Sequence, residues 1–423
     1  MDTRIYAFSC RGHGFRYALD CPVAFTRDVV HVLFEPDAAA AEAMAGTSPN
    51  ADQVHVVPLA LGDADRDADL HLTANPAFGS LRAPSAPYLS LSREVRTSGE
   101  WEGASVDEVF YDAENARDYR VTGKSAVKVR SLDSVLRQGA LPVSSPPDVL
   151  TLDLPGTEYE ALAGAGACLA DGTLAVVTGV DFLSRYEGQR LFGDVHGLLI
   201  NAGFRFAGFS GMETAAPQAL PVGLRAEDFP AHAKAVFLRR LDALGAASPA
   251  ERHVRCLKLA FLAVNFGQVA AAFEALRAAE ASPPDDATRE ALSGVAYPRF
   301  LRQMQEAAAT MPGHALHADE QAALKAIVEA RTLARRIRQM PPVQGWYRRK
   351  FTGLLRRLRR AWIVLMGGIP SFASPQMVDP DAEASKPAPT TDFEELLLRF
   401  GFWTVAEKVR RRRAQSHPYL RQA

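Results

Sequence analysis

Over residues 1–240 the chain alternates short apolar runs with helical or turn-rich stretches. Ile5 to Phe8 is apolar and gives way to Gly12-His13-Gly14, and Val29 to Phe34 is apolar and closes at Glu35-Pro36. A helical stretch follows over 38–45, then a third apolar run over 54–61 that ends at Gly62-Asp63. After a long polar and aromatic segment the runs resume at 149–152, 174–177 and 235–238. Strand and helix alternating in this way predict an α/β domain, doubly wound about a mostly parallel sheet with helices on both faces.

Beyond residue 242 the period changes. The alanine-rich stretch 256–281 has helical spacing, and Pro283-Pro284 separates this hairpin from later helices. Residues 341–373 hold a basic amphipathic stretch, WYRRKFTGLLRRLRRAW at 346–362, and 374–391 is proline-rich and polar, as flexible linkers are. A last amphipathic helix is expected from about Asp392 to Arg413. The expected organisation is an α/β domain over 1–242, a helical appendage over 243–340, the basic segment, the linker, and a C-terminal helix within 392–423.

Composition narrows the class. With 423 residues, 48% of them hydrophobic and 23% charged, the chain has the make-up of a soluble globular protein. Lys+Arg 48 against Asp+Glu 49 leaves a net charge of -1, so no nucleic-acid partner is expected. Cys10, Cys21, Cys168 and Cys256 form no CxxC pair, which indicates neither a zinc knuckle nor a disulfide framework. No apolar run reaches the length of a membrane span, and the first residues lack a signal pattern, so the expected compartment is the cytoplasm. The stretch 346–362 is a local exception with two readings. It can lie on an anionic membrane surface, making the protein peripheral at the inner membrane, or it can dock its leucines on another helix.

The candidate chemistry centres on LTLDLPGTEYEALAGA, residues 150–165. An apolar run ends in Asp153, turns at Pro155-Gly156 and starts a helix at Thr157, which puts a carboxylate where open α/β sheets bind ligands. Thr157 with Glu160 fits a capping box and so needs no further function. Asp153 and Glu158 remain as candidates for chemistry. Gly12 and Gly14 after the first strand, with Glu35 closing the second, fit a nucleotide-type cofactor, though glycines in a turn are also ordinary turn residues.

The order of VLFEPD (32–37), VVPLALGD (56–63), FGSLRAP (78–84), VKVRSLDSVL (127–136), DVLTLDLPGTEYEALAGA (148–165) and RYEGQRLFGDVHGLLINAGF (185–204) resembles the FkbM family of S-adenosylmethionine-dependent methyltransferases. The resemblance covers roughly residues 1–242, with HAKAVFLRR (232–240) as the closing strand. It implies a class I methyltransferase-like fold, a sheet of seven strands with one antiparallel, and O-methylation of a glycan or small-molecule acceptor. It also implies that Glu35 holds the cofactor ribose, that Gly12 and Gly14 line its methionine end, and that Asp153 lies beside the sulfonium and takes the acceptor proton with Glu158 in support. A divalent metal can sit between such carboxylates, but no histidine accompanies them at ligand spacing, and no metal is assigned to the site.

The chain departs from the family pattern at AFSCRGHGF (7–15), where an acidic residue should end the first strand and the position falls on Ala7 or Phe8. The family's lysine before Asp153 is Thr151, and a glutamate expected on the following strand is Gly179, with Asp181 two residues on. These departures support a second reading: a non-catalytic scaffold for a membrane surface or a glycan-assembly partner, with Phe8, Cys10 or Arg11 filling the cofactor volume. Tyr88, Trp101, Phe110, Tyr111 and Tyr119, in the excursion 84–121, either stack on sugar rings or anchor that excursion on the sheet.

Overall fold

The computed structural model describes residues 2–11, 19, 21–47, 53–91, 100–101, 104–105, 118–141, 143, 145–215, 229–309 and 392–416. Its strands in chain order are β1 (Ile5–Arg11), β2 (Val29–Phe34), β3 (Val54–Val57), β4 (Ala60–Leu61), β5 (Arg66–Thr73), β6 (Glu100–Trp101), β7 (Ala104–Ser105), β8 (Val121–Arg130), β9 (Val149–Asp153), β10 (Ala175–Asp181), β11 (Phe204–Ala215) and β12 (Phe229–Arg239). The helices used below are α1 (Ala38–Thr47), α2 (Ala86–Leu91), α3 (Leu132–Arg137), α4 (Glu158–Ala163), α5 (Phe192–Asn201), α6 (Pro249–Asn265), α7 (Val269–Glu280), α8 (Asp286–Ser293), α9 (Tyr297–Ala309), α10 (Asp392–Arg399) and α11 (Trp403–Ser416).

Seven strands make one sheet in the order β11-β12-β10-β9-β1-β2-β3. All run parallel except β12, which is antiparallel to both its neighbours. The parallel strands are apolar without alternation, as a sheet covered on both faces requires; every residue of β2 is buried. The chain winds outward through β1, β2 and β3, then returns to the other side of β1 with β9. The topological switch point is therefore the crevice beyond the carboxyl ends of β1 and β9.

Three elements differ from the sequence expectation. The third run splits, because Pro58 has no N–H to give a ladder: Val54–Val57 joins the main sheet while Ala60–Leu61 joins a second sheet of order β4-β8-β5. The β5–β8 pair carries no apolar run to betray it, since half of β5 faces solvent. The closing helix is two, α10 and α11, parted by a turn at Phe400-Gly401-Phe402.

The chain divides into two compact units, Met1–Glu306 with Leu396–Ala423, and Ala307–Glu395. Within the first, α6 to the start of α9 pack at the amino ends of the parallel strands. Lys258 Nζ on α6 meets Asp148 Oδ2 at 2.9 Å, and the same oxygen accepts from the Tyr6 backbone N–H at 2.9 Å. Asp28 Oδ2, just before β2, accepts from the N–H groups of Ala296 and Tyr297 at 2.7 and 2.9 Å and so caps α9. Phe25 lies among Phe261, Phe300, Phe400 and Phe402, with ring centroids 5.0 to 5.8 Å away. The opposite, carboxyl edge of the sheet is thereby left to the site. Among the described residues no helix is long and apolar enough to cross a membrane.

Candidate active site

Asp153 ends β9 at the switch point, in register with Arg11 on β1. Its Oδ2 accepts from Lys234 Nζ on β12 at 3.0 Å. The chain then turns through Pro155-Gly156 under the ring of Tyr186. Gly156 has φ +79, and a Cβ there would stand 2.7 Å from Tyr186 Cδ2, so only glycine fits this turn. The tight turn brings Glu158, 5% exposed, back beneath the strand ends. The capping box expected of Thr157 and Glu160 does not form: Thr157 makes no side-chain cap bond, and Glu160 Oε1 pairs instead with Arg82 Nη2 at 2.6 Å. Arg82 Nη1 also donates to the Glu187 carbonyl at 2.9 Å, which ties the 76–91 region to the loop after β10.

Beside Asp153 the structure assembles a cluster that the sequence shows only in part. A Cβ at Gly179 would lie 2.7 Å from Glu158 Oε1 and 3.3 Å from His232 Cε1, so the missing side chain on β10 is what admits the Glu158 carboxyl. Burial first, and then the charge of Asp181, push that carboxyl well above its ordinary range. Asp181, 1% exposed, behaves in the opposite way. Burial would raise its carboxyl, but Arg185, then His232 and Gln189, outweigh burial and hold it below the usual value. Arg185 Nε and His232 Nδ1 each stand 2.8 Å from Asp181 Oδ1, and Gln189 Nε2 donates to Oδ2. Gln189 Oε1 in turn accepts from the Arg185 and Tyr186 N–H groups at 2.9 and 3.1 Å, closing the loop on itself.

The aromatic residues of the excursion serve as anchors where they are described. Tyr119, 1% exposed, stacks on Phe78 with centroids 4.5 Å apart and lies 3.3 Å from Arg185 Nη1 through its hydroxyl. Tyr88 is buried against Tyr119, and the Tyr186 hydroxyl donates to the Phe78 carbonyl at 2.9 Å. The Trp101 side chain, Phe110 and Tyr111 lie outside the described residues.

On the other side of the switch point, Glu35 follows β2, is 4% exposed, and accepts from the Asp37 N–H at 3.0 Å through Oε1. The first strand runs farther than the sequence suggested. Ala7 and Phe8 lie mid-strand in the core, with Phe8 packed on Phe34, and the strand end falls on Cys10 and Arg11. Burial, with a contribution from the Glu35 charge, pushes the Cys10 thiol up to about 12. Phe8 and Cys10 belong to the main buried core cluster of the sheet. Gly12, Gly14, the Arg11 side chain and the basic stretch 346–362 lie outside the described residues. The buried carboxylate closing β2 fits the vicinal hydroxyls of a nucleoside ribose.

Asp153, Glu158 and Glu35, all read from the sequence, thus share one sheet edge. Asp181, Arg185, Gln189, His232 and Lys234 were missed as a site, although Arg185 and Gln189 fall in the segment RYEGQR, His232 and Lys234 in HAKAVFLRR, and Asp181 was noted beside Gly179.

The family model of the methyltransferase FkbM domain matches residues 14–206. Among solved structures, the methyltransferase FkbM from Methylobacillus flagellatus KT matches at 10% identity with a TM-score of 0.26, over 56% of this chain and 44% of that one. The chain thus spans less than half the length of that relative. No curated protein matches.

Proposed function

With residues 14–206 matched to the methyltransferase FkbM domain, we propose that the protein is an S-adenosylmethionine-dependent O-methyltransferase of the cytoplasm acting on a saccharide or related small metabolite. The observation that carries this reading is the row of carboxylates across the switch point: Glu35 on the β2 side, Asp153 at the centre, Glu158 beneath it. In this reading Glu35 accepts the ribose hydroxyls, Gly12 and Gly14 line the methionine end, and Asp153, steered by Lys234, faces the reacting centre. When bound, S-adenosylmethionine supplies the electrophilic methyl group. Glu158, its carboxyl pushed up by burial and by the charge of Asp181, hydrogen-bonds the acceptor. Positioning does most of the work in such a transfer, because the acceptor oxygen must approach the methyl carbon in line.

Titration calorimetry with S-adenosylmethionine and S-adenosylhomocysteine tests the reading. Both should bind the full-length protein, and Glu35→Ala should abolish binding of both. Asp153→Asn should lose methyl transfer with little change in stability. If neither compound binds at millimolar concentration, the catalytic reading is wrong and the scaffold reading takes its place.

A further inference from the structure

We propose that His232 takes the proton from the acceptor hydroxyl and that Asp181 is its positioning residue; this rests on the methyltransferase reading above. Strands lie about 4.8 Å apart, so the β12 residues stand roughly 10 Å from Asp153, on the side away from Glu35. If the nucleoside lies toward Glu35, the β10–β12 end of the edge is the acceptor side. His232 opposes Asp181 across that strand pair.

The geometry points to one tautomer. Asp181 Oδ1 lies 2.8 Å from His232 Nδ1, so a proton on Nδ1 is donated to a buried carboxylate and the Nε2 lone pair is left available. Nε2 is hydrogen-bonded to no described residue and is not sealed from solvent. The ring lies over Gly179, whose missing side chain leaves room for both the imidazole and the Glu158 carboxyl. The charged and titratable groups around it are Asp181 from β10, Arg185 from the following loop, Glu158 from α4, Lys234 from β12 itself and Glu213, its register partner on β11. Arg185 Nη2 is 3.0 Å from Nδ1 and can only donate, but the Arg185 charge is met by the same Asp181 oxygen at 2.8 Å. Asp153 meanwhile has Lys234 at 3.0 Å. One strand therefore supplies both the cation that fixes Asp153 and the imidazole that receives the proton.

The step balances as follows. The acceptor oxygen bonds to the methyl carbon while the carbon–sulfur bond breaks with its electron pair passing to sulfur. The hydroxyl proton goes to Nε2, and the imidazolium so formed is offset by Asp181.

Nitrogen-15 NMR of histidine-labelled protein without ligand tests the arrangement independently of turnover. The expected spectrum shows His232 protonated at Nδ1 and bare at Nε2 when neutral, and Asp181→Asn should mix the two tautomers. Formation of S-adenosylhomocysteine with methyl glucoside, mannoside, galactoside and rhamnoside as acceptors gives the kinetic arm. There His232→Asn should lower turnover about 10²- to 10⁴-fold, abolish the acidic limb of the pH–rate profile and leave S-adenosylhomocysteine binding unchanged, with added imidazole restoring part of the rate to His232→Gly. A neutral His232 protonated at Nε2, or a His232→Asn protein that keeps both rate and acidic limb, would overturn the proposal. Failure of the wild-type protein to bind S-adenosylhomocysteine would instead remove the methyltransferase reading, whatever tautomer the spectrum shows.

Discussion

Glu158 and Asp181 are both buried carboxyls within one cluster, yet their surroundings drive them in opposite directions. Glu158 titrates above its ordinary range in the folded protein. Its contribution to stability is therefore fully present below the ordinary carboxylate range and is lost as pH rises toward the folded value. Glu158→Gln removes this dependence, so the gain in melting temperature over wild type should grow between pH 5 and pH 8, as thermal denaturation at the two values will show. An equal offset at both would mean that Glu158 is ionised in the fold. Gly156→Ala should destabilise by about 2–3 kcal/mol, because it combines a strained φ with overlap on Tyr186; urea denaturation measures it. Asp153 and Glu35 were legible because each follows an apolar run and marks its end, and Glu158 because it opens the helix after the turn that Asp153 leads into. His232 and Asp181 were not: their pairing is set by the register of β10 on β12, which no local spacing announces.

At the scale of elements, the side chains that terminate helices decide how the pieces join. The caps of α9 come from Asp28, far off in sequence, and Asp28→Ala should cost about 1–2 kcal/mol. Hydrogen exchange should show faster amides in the first turn of α9 while β9 and β10 stay protected; uniform acceleration would mean that the cap supports the whole fold. The expected box at α4 failed for a related reason, since Arg82 offers Glu160 a full charge where the helix start offers one N–H. The parallel strands were readable as unbroken apolar runs. The β5–β8 ribbon was not, because a ribbon with one solvated face and charged residues looks like a loop.

For the whole molecule, the ion pair between Lys258 and Asp148 joins the helical region to the floor of the sheet. Lys258 is 6% exposed, and Lys258→Met leaves Asp148 charged and buried, at a cost of about 3–5 kcal/mol. The double variant with Asp148→Asn should recover much of that loss, since an amide oxygen can still accept from Tyr6; chemical denaturation of the three proteins checks it. No recovery would show that packing of the lysine stem matters more than charge. The doubly wound, mostly parallel sheet was legible from the order of its runs and its single antiparallel strand only through the family resemblance, whereas the docking of α6 to α9 on the sheet was not, because it depends on Asp28, Asp148 and Phe25 meeting partners far along the chain.

The position of β1 at the centre of the sheet also bears on synthesis. β1 and β2 leave the ribosome one after the other, but the other neighbour of β1 is β9, which begins only at Val149. At 5–20 residues per second, translation of residues 35–148 takes on the order of ten seconds. Throughout that interval a largely apolar strand has one open side in the nascent chain, so this protein should depend on a holding chaperone during translation more than on one that acts after release.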